Sequence, residues 1–244
     1  MTENLLLTTT RILTYDRQRA LTNASGFFFE RGPRLFLVTS RHVLIDEPTT
    51  HFPDRIEIDL HMDRDNLADS RVLSIPLYRN RKSLWRQGMD GAGEIDVAVI
   101  EIDRKALVEP PVTYYAFSKE SLYDPAVPVG IGTPMLVVGF PLGFHDGLHH
   151  MPVVRQAVNA SQFGLRFQGA GYFLTDARTH RGTSGAPVVM RASTEGPGTE
   201  AIPWVLLGVH SARVDAGTRD LKLDEALGLN CAWYADVLLT LTAG

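Results

Sequence analysis

The chain has 244 residues, of which 44% are hydrophobic and 21% charged, and a formal net charge of −4 at pH 7. That length supports one large or two small domains with real cores, and the charge balance gives no electrostatic footing for nucleic acid or an anionic membrane. Cys231 is the only cysteine, which excludes an internal disulfide and any metal centre built on several thiolates.

The N-terminus, MTENLLLTTTRIL, lacks a basic start, and its apolar run is too short for a signal peptide. No stretch approaches the roughly 20 apolar residues that cross a bilayer, so a cytoplasmic protein is expected. The runs SGFFFE, RLFLVTS, RIEIDLHM, RVLSIPLY and DVAVIEI read as strands, with a turn at Arg31-Gly32-Pro33. The basic cluster Arg79–Arg86 reads as a solvated loop, and Asp90–Glu94 as a mobile turn. A Pro-bearing connector without clear period covers Lys105–Thr133. A second series then runs PMLVVGF, MPVVRQAV, GYFLTD, APVVM, PWVLLGVH and ALGLNCAW, interrupted by a hairpin loop, RASTEGPGTEA. Helical periodicity is confined to a short piece after Ser40 and to WYADVLLTL near the end. Strands on both sides of one connector imply an all-β chain of two barrels or sandwiches rather than one α/β sheet.

The stretch THRGTSGAP sets Ser184 between Gly182 and Gly185, with Pro187 following. A serine hydroxyl needs a neighbouring base, a group orienting that base, and donors for the developing oxyanion. Glycines let backbone N–H groups approach one point without a side chain in the way. His42 follows the apolar strand of FLVTSRHVL, and Asp96 opens EIDVAVIEI. Taken singly, His42 reads equally as a core histidine bonded to backbone and Asp96 as a strand-start cap. In the order His, Asp, Ser on successive β units, they form a candidate triad. The α/β-hydrolase pattern G-x-S-x-G fails, because residue 186 is Ala.

These contexts resemble the trypsin-like serine proteases of the chymotrypsin fold, and most closely the HtrA type. TDARTHRGTSGAP is similar to that family's serine motif, VTSRHVL to its histidine motif, IDVAVIEI to its aspartate motif, and VGFPLGF to its strand and turn after the connector. SGFFF and LGLNCAWYADVLLTL are similar to its opening and closing segments. The resemblance implies two six-stranded antiparallel β-barrels with a short C-terminal helix, residues 1–112 carrying His42 and Asp96 and residues 113–244 carrying Ser184. It also implies that Ser184 attacks a peptide carbonyl, His42 serves as base and then acid, Asp96 orients it, and the N–H groups of Gly182 and Ser184 hold the oxyanion. No cofactor or metal is needed.

The GVH of VLLGVHSAR resembles an element of glutamyl endopeptidases and of picornaviral cysteine proteases, which share a threonine five positions before the nucleophile, here Thr179. That likeness assigns Thr179, His210, Ser211 and Ala212 to the primary pocket and implies cleavage after Glu or Gln. His210 otherwise reads as a strand residue bonded to nearby backbone. The chain departs from the HtrA pattern in having no PDZ module after it, no export signal before it, and a longer insert between His42 and Asp96. A protein or peptide substrate and a regulatory protein partner are the expected partners. His145, Asp146, His149 and His150 sit in one Gly-rich loop whose spacing is weakly diagnostic of metal, and that loop is expected to line the substrate cleft.

Overall fold

A computed structural model describes residues 2–192, 202–213 and 228–243. The first half forms β1 (Thr9–Asp16), β2 (Arg19–Arg31), β3 (Arg34–Thr39), β4 (Arg55–His61), β5 (Ser70–Pro76), β6 (Tyr78–Arg79), β7 (Lys82–Ser83), β8 (Trp85–Asp90) and β9 (Gly93–Ile102). A single helical turn, α1 (Arg41–Leu44), follows β3. Seven of these strands make one antiparallel sheet in the order β5-β4-β1-β2-β3-β9-β8, and β6 and β7 form a separate ribbon.

This differs from the expected six-stranded barrel in two ways. First, β1 and β8 are strands that the sequence hides. The segment TTTRILTYD buries threonines (Thr9, Thr10 and Thr14) in place of aliphatic residues, and WRQGMD is largely polar. Second, β5 and β8 remain the two edges of the sheet, because the chain leaves β5 into the β6–β7 ribbon before it reaches β8. The basic cluster is solvated as expected, yet it forms that ribbon, turning at Asn80 and Arg81 with φ of 51° and 64°. Asp90–Glu94 is a tight hairpin, with Asp90 opposite Gly93 and the Asp90 carboxylate accepting from the Ala92 N–H at 2.8 Å.

The second half forms β10 (Pro134–Gly139), β11 (Val153–Asn159), β12 (Tyr172–Asp176), β13 (Pro187–Arg191), β14 (Trp204–Arg213) and β15 (Leu229–Tyr234), closed in the order β10-β11-β12-β15-β14-β13. The six-stranded barrel expected here is therefore present. The helix expected over WYADVLLTL is shorter, α2 (Val237–Leu241), because Trp233 and Tyr234 finish β15. RASTEGPGTEA falls largely outside the described residues. Among the described residues no helix is long and apolar enough to cross a membrane.

Three central strands of the first sheet bury both faces, which is why they read as continuous apolar runs rather than alternating ones. Phe27, Phe29, Phe36, Val38, Val97 and Val99 point one way and share a core with Val138, Val189, Leu206, Val209 and Trp233 of the barrel. Their neighbours Phe28, Leu35, Leu37, Ala98 and Ile100 point the other way, into a core with Ile12, Ile56 and Ile58. The barrel interior is a third cluster, built on Val137, Phe173, Val188 and Leu207. Leu238 and Leu241 of α2 pack into the shared core. The connector joins both halves: the Phe117 ring stands edge-on to Phe27 at 5.7 Å, and Leu122 bridges to Leu206.

Candidate active site

The site lies where the two halves meet. Thr39 at the end of β3 pairs with Ala98, so Asp96, two residues earlier on β9, projects just beyond the end of β3. The chain turns there into α1. Ser40 precedes that turn without capping it; its Oγ donates instead to the His210 carbonyl at 3.1 Å, across the groove. Arg41 braces α1 against the β8–β9 hairpin through Gln87 at 2.6 Å and Glu94 at 3.2 Å, and reaches Glu47 at 3.1 Å.

Asp96 grips His42 twice. Its Oδ1 accepts the His42 backbone N–H at 2.8 Å, and its Oδ2 meets the ring Nδ1 at 2.7 Å. The opposite ring nitrogen, Nε2, lies 2.9 Å from the Ser184 Oγ. Protein atoms crowding the pair oppose charge on both, yet each partner outweighs that: the carboxylate raises the His42 pKa, and the imidazole together with the Ser211 hydroxyl and the His42 N–H lowers that of Asp96. His42 retains 34% and Asp96 23% side-chain exposure, so a substrate can reach the base.

Ser184 sits in a turn between β12 and β13 that only glycine allows on either side. Gly185 has φ of 84°, and a Cβ there would lie 2.2 Å from the Ser25 carbonyl oxygen and 2.9 Å from the Thr39 Cα. Gly182 has φ of 90°, and a Cβ there would come within 2.5 Å of the Phe140 carbonyl oxygen. Backbone bonds fix the turn, from Gly185 N–H to His210 O at 2.7 Å and from Ser25 N–H to Ser184 O at 2.9 Å. The Arg181 carbonyl accepts the Leu142 N–H at 2.5 Å. In a planar trans peptide the carbonyl and the following N–H point opposite ways, so the Gly182 N–H faces away from Leu142. Neither the Gly182 nor the Ser184 N–H has an acceptor among the described residues.

Ser25 was not foreseen as part of the site. It is fully buried, its Oγ donates to the Gly182 carbonyl at 2.8 Å and accepts the Phe140 N–H at 2.9 Å. The signal available in the sequence is a lone hydroxyl and a glycine opening the run FFF. Ser211, expected in the primary pocket, donates its hydroxyl to Asp96 Oδ2, and its carbonyl lies 3.0 Å from the Ser184 Oγ. β14 thus supports the triad from the barrel side.

Thr179 and His210 are both buried, at 7% and 3% exposure, and a residue not singled out in the sequence, Asn230, holds Thr179. The Thr179 hydroxyl donates to Asn230 Oδ1 at 2.5 Å, and the Asn230 amide donates to the carbonyls of Ala177 at 2.7 Å and Gly228 at 3.1 Å. Ala212 continues the β14 backbone; its side chain and residues 214–227 lie outside the described residues. The four loop residues considered for metal do not converge: His149 pairs with Asp146 at 2.6 Å, His150 approaches Asp59 at 3.9 Å, and His145 stacks on His150. Among the described residues no cluster is arranged to hold a metal ion.

A family model described as a trypsin-like peptidase domain matches residues 24–194. The chain belongs to the trypsin-like peptidases. The matched span takes in Ser25, His42, Asp96 and Ser184, whereas Ser211 and Asn230 of this trypsin-like peptidase lie beyond it. No curated protein sequence matches the chain. Among solved structures, a serine endoprotease from Yersinia pestis matches with a TM-score of 0.57 at 15% identity, over 98% of this chain. The chain spans 62% of that protein's length, and at this identity the likeness concerns the fold.

Proposed function

We propose that this trypsin-like peptidase is a serine endopeptidase that works through an acyl-enzyme. The observation that carries this is the unbroken chain from Asp96 through His42 to the Ser184 Oγ, at 2.7 Å and 2.9 Å. His42 Nε2 takes the hydroxyl proton as Ser184 attacks the scissile carbonyl, then gives it to the leaving amine. Asp96 holds Nδ1–H and stabilises the imidazolium. The Gly182 and Ser184 N–H groups, without acceptors among the described residues, receive the oxyanion; such donors are worth about 2.7–4 kcal/mol each. A fluorophosphonate probe should label the wild type and not Ser184→Ala. Absence of labelling under all conditions would favour the rival reading, a protease fold retained as a latent or inactive binding module.

The proposal extends to cleavage after Glu or Gln. With the Thr179 proton committed to Asn230, donation to a substrate carboxylate or amide oxygen falls to His210. Peptides differing only before the scissile bond should be cut after Glu or Gln about 10-fold or more faster than after Leu, Val or Arg, the ratio of one buried hydrogen bond made or missed. Faster cutting after the aliphatic residues would end this part. Narrow substrate choice or control by a protein partner belongs to the same proposal, since an unrestrained endopeptidase would degrade its surroundings.

A further inference from the structure

The first sheet stops short of closing, and its edge strand β5 keeps one side unpaired. Which groups lie on that side follows from the register. The Leu77 N–H bonds the Asp54 carbonyl and the Met62 N–H bonds the Asp69 carbonyl, each at 2.9 Å. Both bonds continue the β4–β5 pairing, one at either end. Alternate residues of an antiparallel strand direct N–H and C=O to the same side. Arg71, Leu73 and Ile75 therefore bond β4, while the N–H groups of Val72 and Ser74 and the carbonyls of Val72, Ser74 and Pro76 turn outward. None of these outward groups has a partner among the described residues. The exposed face of the strand, Val72, Ser74 and Pro76, carries none of the charge that commonly guards such an edge, and only Pro76 interrupts its row of donors.

Against this strand lies a cavity of about 550 Å³, walled by Leu73, Ile75, Leu84, Ile100, Ile102 and Ala106. It separates β5 from the last residues of β9, beyond the point where β8 begins to pair. Arg71 reaches from β5 to the Ala106 carbonyl, and its buried Nε has no acceptor among the described residues. Arg79 lines the rim. With Arg81 and Lys82 of the same ribbon it is exposed and without a carboxylate partner among the described residues. The carboxylates at the rim are already engaged, Glu101 by Arg34 at 2.6 Å and Asp103 by the Lys105 N–H at 3.0 Å. The walls are thus apolar and the unspent charge is positive.

We infer that the free edge of β5 takes an extended acidic segment of a partner protein as an added strand. Side chains of such a strand alternate between its two faces. Those level with Leu73 and Ile75 fill the cavity and are apolar; those between them stand in solvent beside the ribbon cations, where Glu or Asp is favoured. Backbone bonds to Val72, Ser74 and Pro76 supply affinity, and the alternating pattern selects the partner. The β9 wall of the cavity is the end of that strand remote from Asp96. Binding there needs no turnover, so the inference stands apart from the endopeptidase reading.

The test uses the 244-residue chain carrying Ser184→Ala, so that a bound peptide is not cut, and a fluorescein-labelled octapeptide of alternating Glu and Val. Anisotropy should show it binding about 10-fold tighter than its counterpart of alternating Lys and Val, and Arg79→Glu/Lys82→Glu should erase that preference. Methylating the nitrogens of every Glu, or of every Val, strips donors from one edge of the peptide. The form whose methyls face β5 should bind about 10-fold weaker, the loss of one or two hydrogen bonds. On binding, amide exchange should slow at Val72 and Ser74, with no change at Leu73 and Ile75, which β4 already holds. Ser74→Pro removes an unpaired N–H at an edge position, where proline is tolerated; it should weaken binding likewise and leave the urea midpoint in place. No binding, both methylated forms binding as tightly as the parent, or no slowing at Val72 and Ser74 overturns the added strand. Equal affinity for the Lys peptide overturns the acidic partner. Exchange at Val72 and Ser74 that is slow in the chain alone and quickens on dilution assigns the edge to a second copy and overturns the partner protein.

Discussion

At His42 two influences oppose each other: surrounding protein disfavours the imidazolium, while the Asp96 charge and its bond to Nδ1 favour it and win, leaving the pKa raised. The base works only when neutral. Activity should therefore rise with pH through a midpoint above the ordinary histidine value of about 6.5. In Asp96→Asn the favourable influence disappears and the opposing one stays, so the acid limb of kcat/KM should move to lower pH as kcat falls by about 10^4-fold. A limb that stays in place in this variant would mean that Asp96 does not set the His42 titration. The two residues were legible in the sequence through their order with Ser184 and the apolar strands beside them, since each taken singly reads equally well as structural. Ser211 was legible as a neighbour of the site but not in its role, since nothing in VHSAR tells whether the hydroxyl faces a substrate or Asp96. Asn230 was not legible at all: its contact with Thr179 joins residues 51 apart through strand pairing alone.

Among the elements, β2 sustains the nucleophile turn through Ser25, whose hydroxyl joins the Gly182 carbonyl to the Phe140 N–H inside the protein. Ser25→Ala removes both bonds at once and leaves two buried backbone groups unpaired, at about 1–3 kcal/mol for each. It should lower the urea midpoint and reduce kcat more than about 10-fold, while the binding of a substrate-like peptide inhibitor falls less. An unchanged kcat would show that the turn holds its shape without this clamp. The strands with both faces covered, β2, β3 and β9, were the easiest to read, since burial on both sides demands unbroken apolar runs. β1 and β8 were missed for the converse reason. Threonines satisfy one by hydrogen bonding, as Thr14 does with Thr22 at 2.9 Å, and β8 is a polar edge that the pattern cannot tell from a loop.

For the molecule as a whole, the strand pattern was sufficient for two β units with the candidate triad split between them, while the closed barrel of the second came only with the family resemblance. The open seven-stranded order of the first could not be read, because closure depends on where the chain goes between β5 and β8 rather than on any residue's preference. Strand β9, which carries Asp96, and β3, which leads into the turn holding His42, also wall the core shared with the barrel. Sliding or hinging one half against the other would tear apart Phe27, Val97 and Val209 along with the catalytic groups. Adjustments that admit a substrate or silence the enzyme must consequently come from the turns rimming the cleft, above a base as stiff as any protein interior.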